Sequence, residues 1–324
     1  MPNISTEILR YPTDLEKIST LLKVGQCIAL PTETVYGLAA DASQPEAVAK
    51  IFAAKQRPQN HPLIVHIADV TQLSNWAAAV PPIAKTLAKA FWPGPLSMLF
   101  DKAPHVPDAV TGGKPSIVLR VPSHPVFSAI LQHSKLGLAA PSANLYKTIS
   151  PTKADHVVGT LGGRIPAVVD GGDSHQGIES TIVDVRGEDL VILRPGPISA
   201  EQIEAATGRN VIRQNVTGEA VPGNVKQHYQ PKTPAFLKSV DEITLGLANN
   251  PNVGLISCSS QFSALVFETG KHLHLSRDHR VYAKGLYGAL HALDAEGVDE
   301  IWIEYPPQEA EWVAILDRVS RAVA

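Results

Sequence analysis

The order of apolar runs in this chain predicts an α/β protein: a three-layer or open α/β domain with a mixed sheet over residues 1–207, a linker over 208–234, and a small second α/β domain over 235–324. Three observations predict it. Short apolar strands alternate with segments of helical spacing from the start. A charged RGED turn joins two apolar runs, Thr181 to Val185 and Leu190 to Leu193, as a hairpin, so the sheet is mixed rather than purely parallel. After Gly208 the periodicity fails in a stretch rich in Gly, Asn, Gln and Pro, and it returns at Ala235.

The elements follow in order. Leu15, Ile18, Leu21 and Leu22 give a helix over Thr13 to Val24, which Gly25 ends. Cys27 to Leu30 is a short strand, and Pro31 opens a loop. Pro45 suits the first turn of a helix running to about Gln56, with Val48, Ile51 and Phe52 inward. A strand follows at Leu63 to Ile67. Helical patterns cover Val70 to Ala78, Pro82 to Phe91, Pro125 to His133 and Pro151 to Leu161. Between and after them, strands are predicted at Leu96 to Phe100, Ser116 to Val121, Gly137 to Ala140 and Ala167 to Asp170. Beyond the linker come strands at Ala235 to Lys238, Val253 to Ser257 and Glu300 to Glu304. Helices are expected at Arg280 to Glu296 and Glu309 to Val323, and His272 and His274 read as a strand face.

Composition narrows the function. Hydrophobic residues make up 44% and charged residues 18%, which suits a globular protein. With 28 basic and 31 acidic side chains the net charge is -3, which disfavours sequence-independent nucleic-acid binding. Two cysteines, Cys27 and Cys258, lie in apolar runs and read as buried free thiols, too few for a cysteine zinc cluster. No signal pattern and no run long enough to span a bilayer is present, so a cytoplasmic protein without membrane contact is expected. HExxH, Walker A, GxGxxG and GxSxG patterns are all missing.

Several short stretches carry groups suited to chemistry. PTETVYGLAAD, Pro31 to Asp41, follows a strand at the end where open α/β sheets bind ligands, and it also reads as a capped turn. In KQRP, Lys55 and Arg57 end a helix; Pro58 turns the chain away from the helical face. These cations either compensate the helix dipole or bind phosphate oxygens. PSAN, Pro141 to Asn144, offers hydroxyl, amide and backbone donors in a tight turn. Ser116 and Arg120 share one face of SIVLR, and a buried arginine there needs an anion: a substrate carboxylate or an internal acid. SPT with Ser150 and ESTI with Ser180 read singly as helix or strand-end caps, and LRPGP places Arg194 before a rigid turn.

Taken in order, PTETVYGL, the Lys-x-Arg of KQRP, PLIVH, WPGPL, the Arg120 strand, PSAN, SPT, DGG, ESTI and LRPGP make residues 13–205 closely resemble the YrdC-type family of L-threonylcarbamoyladenylate synthases, in its two-domain form. That resemblance implies a twisted mixed-sheet YrdC-like domain followed by a smaller Rossmann-like domain. It also implies synthesis of threonylcarbamoyl-AMP and pyrophosphate from L-threonine, bicarbonate and ATP with Mg2+. The product would serve the threonylcarbamoyl modification of a tRNA adenosine beside the anticodon, through separate tRNA threonylcarbamoyl-transfer proteins and with at most a weak tRNA contact. By the same resemblance Thr34, His66, Arg120, the Ala140 backbone and Ser180 would hold threonine. Lys55, Arg57, His61, Ser116, Ser142, Asn144, Ser150, Arg194 and Tyr229 would hold ATP, with Tyr229 and the linker as a lid. No protein metal site is expected. His61 stands where the family often has asparagine, and the last helix lacks the usual preceding glycine-rich stretch. An RNA-binding module and a carbamoyl transferase are the other readings, and the latter's relatives carry the cysteine zinc motif that this chain lacks.

Overall fold

Eleven short strands line up in one sheet whose direction changes repeatedly. The computed structural model describes residues 4–213, 221–222, 227–266 and 271–324. The strands are β1 (Glu7–Arg10), β2 (Ile28–Leu30), β3 (Gly37–Asp41), β4 (Ile64–His66), β5 (Leu96–Asp101), β6 (Ser116–Arg120), β7 (Leu138–Ala139), β8 (Ala167–Asp170), β9 (Thr181–Asp184), β10 (Leu190–Arg194) and β11 (Val211–Arg213). They run in the order β1-β8-β2-β3-β7-β4-β6-β5-β9-β10-β11. The β9–β10 hairpin is antiparallel, as RGED predicts, while β4 and β6 are parallel. That parallel pairing matters for the site, because it sets His66 and Arg120 side by side at the carboxyl ends of their strands.

Alternating side chains feed opposite faces of the sheet. Ala29, Leu38, Ala40, Val65 and Leu119 join a core with Ile51 and Phe52 of the helix Pro45–Lys55 and Leu87 of the helix Pro82–Phe91. Ile28, Leu30, Ala39 and Leu138 join Ile18 and Leu22 of the helix Leu15–Lys23 and Phe127 and Leu131 of the helix Pro125–Ser134 on the other face. Helices therefore cover both faces, and burial of both faces explains the near-continuous apolar strands. A third cluster contains Ile64, Leu99, Val118, Ile182 and Leu193, whose chain neighbours Val65, Met98 and Leu119 face the first core. Val221 buries itself against this cluster.

Some elements differ from the sequence reading. β3 lies inside the stretch read as a loop; its Gly-Leu-Ala-Ala-Asp composition has weak strand propensity, and pairing with β2 and β7 decides its conformation. β1 and β11 are edge strands too short to show alternation. β11 falls in the segment read as linker and pairs in parallel with β10. Within that segment, residues 214–220 and 223–226 lie outside the described residues, so the expected lid does too in large part. Val70–Asn75 is a 3-10 helix, and the helix after SPT begins at Ala154.

By contacts the chain splits into two compact units. The first holds residues up to Tyr146, Pro151–His175 and Glu179–Asn224; the second holds Lys147–Ser150, Gln176–Ile178 and Val225–Ala324. The second unit carries a four-stranded parallel sheet of β12 (Ala235–Lys238), β13 (Val253–Ser257), β14 (Lys271–His274) and β15 (Glu300–Glu304), in the order β12-β15-β13-β14. Its long helix, His279–Ala295, is capped by Asp278, whose carboxylate accepts from the Arg280 and Val281 amides. Both cysteines are buried and free, and burial pushes each thiol up to about 11. No helix among the described residues is long and apolar enough to cross a membrane.

Two glycines test the packing in opposite senses. A Cβ at Gly196 would sit 2.3 Å from the Thr181 amide nitrogen, whereas Gly159, inside the helix Ala154–Leu161, has nothing within 4 Å. Gly196→Ala is expected to destabilise the chain by about 1–3 kcal/mol. Gly159→Ala should stabilise it by roughly 0.5–1 kcal/mol. Urea denaturation of both variants checks the pair.

Candidate active site

The loop between β2 and β3 is locked by its own hydroxyls. Thr32 Oγ1 donates to the Val35 carbonyl at 2.6 Å and lies 2.8 Å from Thr34 Oγ1. Because the Thr32 proton is committed to Val35, Thr34 must donate to Thr32. Thr34 Oγ1 in turn accepts from Arg120 Nη1 at 3.0 Å. Tyr36 anchors the far end: its hydroxyl donates to the Gly172 carbonyl at 2.7 Å and accepts from the Gly171 amide at 3.2 Å, which ties the DGG loop to PTETVYG.

Arg120 has an internal anionic partner in the structure. Glu33 Oε1 lies 2.7 Å from Arg120 Nη2 and also accepts the Ser123 amide at 3.1 Å. Arg120 Nε donates to the Gly94 carbonyl at 3.1 Å. Of the five guanidinium N–H groups, two donate to Gly94 and Thr34, and Nη2 meets Glu33 as an ion pair without an aligned hydrogen bond. One N–H each on Nη1 and Nη2 is left over for a further ligand, although Arg120 is only 3% exposed. Burial would raise the Glu33 carboxyl, but the Arg120 charge and the hydrogen bonds outweigh it and hold the group below its ordinary range.

Two imidazoles flank this pair. His66 stacks on Phe127 with ring centroids 5.1 Å apart, and burial followed by the Arg120 charge lowers its pKa to about 3. It is therefore neutral at physiological pH, with a buried Nδ1 that has no hydrogen-bond partner. His124 is also lowered, chiefly by burial, despite the opposing field of Glu33. Ala140 is fixed beside this group by its amide, which donates to the Ile64 carbonyl at 3.0 Å. Thr34, His66, Arg120 and Ala140 are thus brought to one place.

Ser180 sits in an adjoining network. Its Oγ lies 2.8 Å from Ser97 Oγ and accepts from Arg194 Nη2 at 3.0 Å, while its carbonyl accepts from Arg194 Nε and Nη2. Arg194 Nη1 reaches the Pro222 carbonyl at 2.8 Å. The Thr181 amide donates to the Pro95 carbonyl at 3.0 Å, next to the Gly94 carbonyl that Arg120 uses, so the two networks share one turn. Ser116 is buried at the start of β6.

The two stretches KQRP and PSAN meet directly. Gln56 takes the left-handed conformation with φ 54° and ends the helix Pro45–Lys55, and the Arg57 amide closes the turn on the Phe52 carbonyl at 3.0 Å. Lys55, 1% exposed, donates to the Ser142 carbonyl at 2.5 Å, the Asn144 carbonyl at 2.6 Å and Asn144 Oδ1 at 3.4 Å. Its ammonium therefore acts on the turn itself. The Leu38 amide donates to the Pro141 carbonyl and the Ala143 amide to the Tyr36 carbonyl, which fastens the same turn to β3. Burial, and then the Arg57 charge, lowers the Lys55 pKa well below its ordinary value. Arg57 Nη2 holds the Pro62 carbonyl at 3.1 Å. Burial and the same charge lower His61, whose ring meets Tyr146 edge-on at 5.5 Å.

Ser150 and Tyr229 belong to the second unit. There the Ser150 carbonyl lies 3.2 Å from His291 Nε2. Tyr229 has φ 65°, an uncommon conformation for a bulky residue. Its ring faces the Arg318 guanidinium at 5.4 Å and Tyr287 at 5.5 Å. His124 and Ser97 carry no signal in the sequence, whereas Glu33 is one of the polar groups of PTET and Arg120 asks for such an acid, although the sequence does not pair the two.

Among the described residues no group of three or more His, Cys, Asp or Glu side chains is placed to hold a metal ion. The comparisons with known proteins agree across both units. The Sua5/YciO/YrdC family model, described as "Telomere recombination", matches residues 20–196, and a model described as "Threonylcarbamoyl-AMP synthase, C-terminal domain" matches 198–324. A threonylcarbamoyl-AMP synthase of Bacillus subtilis is 37% identical, over 99% of this chain and 96% of its own. One from Pyrococcus abyssi is 35% identical, over 93% of this chain and 91% of its own. The crystal structure of Pyrococcus abyssi Sua5 complexed with L-threonine superposes with a TM-score of 0.88 at 33% identity, covering 98% of this chain and 97% of that one.

Replacing Lys55 by methionine removes the ammonium from two carbonyls and keeps the apolar stem. Lys55→Met is expected to lower stability by roughly 1–3 kcal/mol for the acceptors it leaves unsatisfied. The urea midpoint measures this, and an unchanged midpoint would mean that the turn holds without the clamp.

Proposed function

Because this chain belongs to the Sua5/YrdC family of threonylcarbamoyl-AMP synthases, we propose that it joins L-threonine, bicarbonate and ATP into threonylcarbamoyl-AMP and pyrophosphate. The observation that carries this reading is the match at 37% identity across 99% of the chain to an enzyme of that name. The chemistry of the site supports it. The two leftover N–H groups of Arg120 form a fork suited to the threonine carboxylate. Thr34 Oγ1 and the neutral His66 ring are polar groups for the substrate hydroxyl, with the Ala140 backbone and Ser180 completing the pocket.

Arg57, Ser116, Ser142 and Arg194 are proposed to hold the nucleotide, and His61 lines its edge. Lys55 and Asn144 keep the Pro141–Asn144 turn in shape. Bicarbonate and the threonine amine give a carbamate that water destroys, so reaction requires a dry, crowded site. A carbamate oxygen then attacks the α-phosphorus and pyrophosphate leaves, which makes the enzyme a nucleotidyltransferase. Positive charge at Arg57 and Arg194 offsets charge developing on the phosphates. Mg2+ enters as part of the MgATP substrate, held chiefly by phosphate oxygens. The product supplies tRNA threonylcarbamoyl-transfer proteins in the cytoplasm that modify the adenosine beside the anticodon, with tRNA itself contacted weakly.

Pyrophosphate release is expected to need threonine and bicarbonate together with ATP. Arg57→Ala should lower kcat/KM by about 10²–10³-fold while costing no more than about 1–3 kcal/mol of stability in urea denaturation, for the Pro62 carbonyl it releases. Release independent of threonine would overturn the activity. Full turnover in the variant would remove Arg57 from the site.

A further inference from the structure

Two buried polar atoms of opposite charge, one on Glu33 after β2 and one on Arg120 at the end of β6, have no hydrogen bonds. Glu33 is 4% exposed, and its Oε2 has no hydrogen-bond partner. Arg120 Nη2 lies 2.7 Å from the other oxygen, Oε1, but is not aligned to bond it. A carboxylate present only to neutralise Arg120 would be expected to meet it fork to fork, with both oxygens engaged. Glu33 instead gives one oxygen to both Arg120 and the Ser123 amide, and the second stays open. Leaving a buried charged atom unsatisfied is costly, so its persistence points to a ligand.

We propose that Glu33 Oε2 receives the α-ammonium of the amino-acid substrate while the open N–H groups of Arg120 take its carboxylate, so that the pair recognises a zwitterion. This rests on reading the Arg120 pocket as the amino-acid site. Opposite charges held side by side, with one carboxylate oxygen and N–H groups still open, match the two ends of an α-amino acid and reject a molecule that has lost either. Arg120 keeps Glu33 ionised against the effect of burial, and His66 and His124, neutral through burial, add no competing cation. Glu33 is therefore a specificity-determining residue. Its contact acts in binding, before the carbamate forms.

Calorimetric titration of the full chain with L-threonine, and with the analogue whose amine is replaced by hydroxyl, (2S,3R)-2,3-dihydroxybutanoate, tests this. In the parent chain threonine should bind at least about 10-fold more tightly than the analogue. Glu33→Gln should weaken threonine by about 10–100-fold and leave the analogue within a few-fold, so the preference collapses. Glu33→Asp, which keeps the charge, should restore part of it. Equal losses for both ligands in Glu33→Gln would show that Glu33 merely props Arg120, and would overturn this proposal alone. No threonine binding to the parent chain would overturn the pocket reading and this proposal with it. Should Glu33→Gln fail to fold, 15N-labelled threonine on the parent chain decides: the bound α-amino pKa should rise above its free value, and a fall refutes the contact.

Discussion

Taking the Arg120 charge out of water is the constraint on which the first unit's site depends. An isolated buried guanidinium is far too costly to keep, so the fold must bring an anion and acceptors to it. Glu33, the Thr34 hydroxyl and the Gly94 carbonyl meet that demand from two different loops. Parallel pairing of β4 with β6 then places His66 beside Arg120. The same contacts that satisfy the charge leave two N–H groups and one carboxylate oxygen unfilled. In the proposed reading, stability and recognition come from one set of residues.

The second buried cation is treated differently. Lys55 has no carboxylate partner in its hydrogen bonds; it is solvated by the carbonyls and amide oxygen of the Pro141–Asn144 turn. A compact ammonium with rotatable donors suits this role, whereas the planar fork of Arg120 suits a carboxylate. Carbonyl dipoles compensate burial less fully than an ion pair does, which fits the strong lowering of the Lys55 pKa. Through this clamp the end of one helix fixes the turn that carries Ser142 and Asn144.

Most of the fold was legible where the physics is local. The hairpin at RGED, the helix ended beyond Lys55 and the buried cysteines all follow from short patterns. β3 was hidden because Ala and Gly carry little strand signal and its pairing is set by distant chain. The site was legible in residue types and order, through PTET, KQRP and PSAN, but not in its connections. That Lys55 grips PSAN, and that Glu33 answers Arg120, depends on contacts 89 and 87 residues apart (Lys55 to Asn144, and Glu33 to Arg120). No periodicity encodes such pairs. The unpartnered oxygen of Glu33 is more remote still, since only coordinates show which atoms remain open.

In the proposed reading Arg120 holds the amino acid while the Arg57 region holds the nucleotide. Arg120→Lys separates the two, because lysine keeps the charge and loses the fork. Calorimetric titration should show threonine affinity reduced by about 10-fold or more with ATP affinity within a few-fold of the parent. Unchanged threonine binding, or loss of ATP binding in proportion, would remove Arg120 from the amino-acid site.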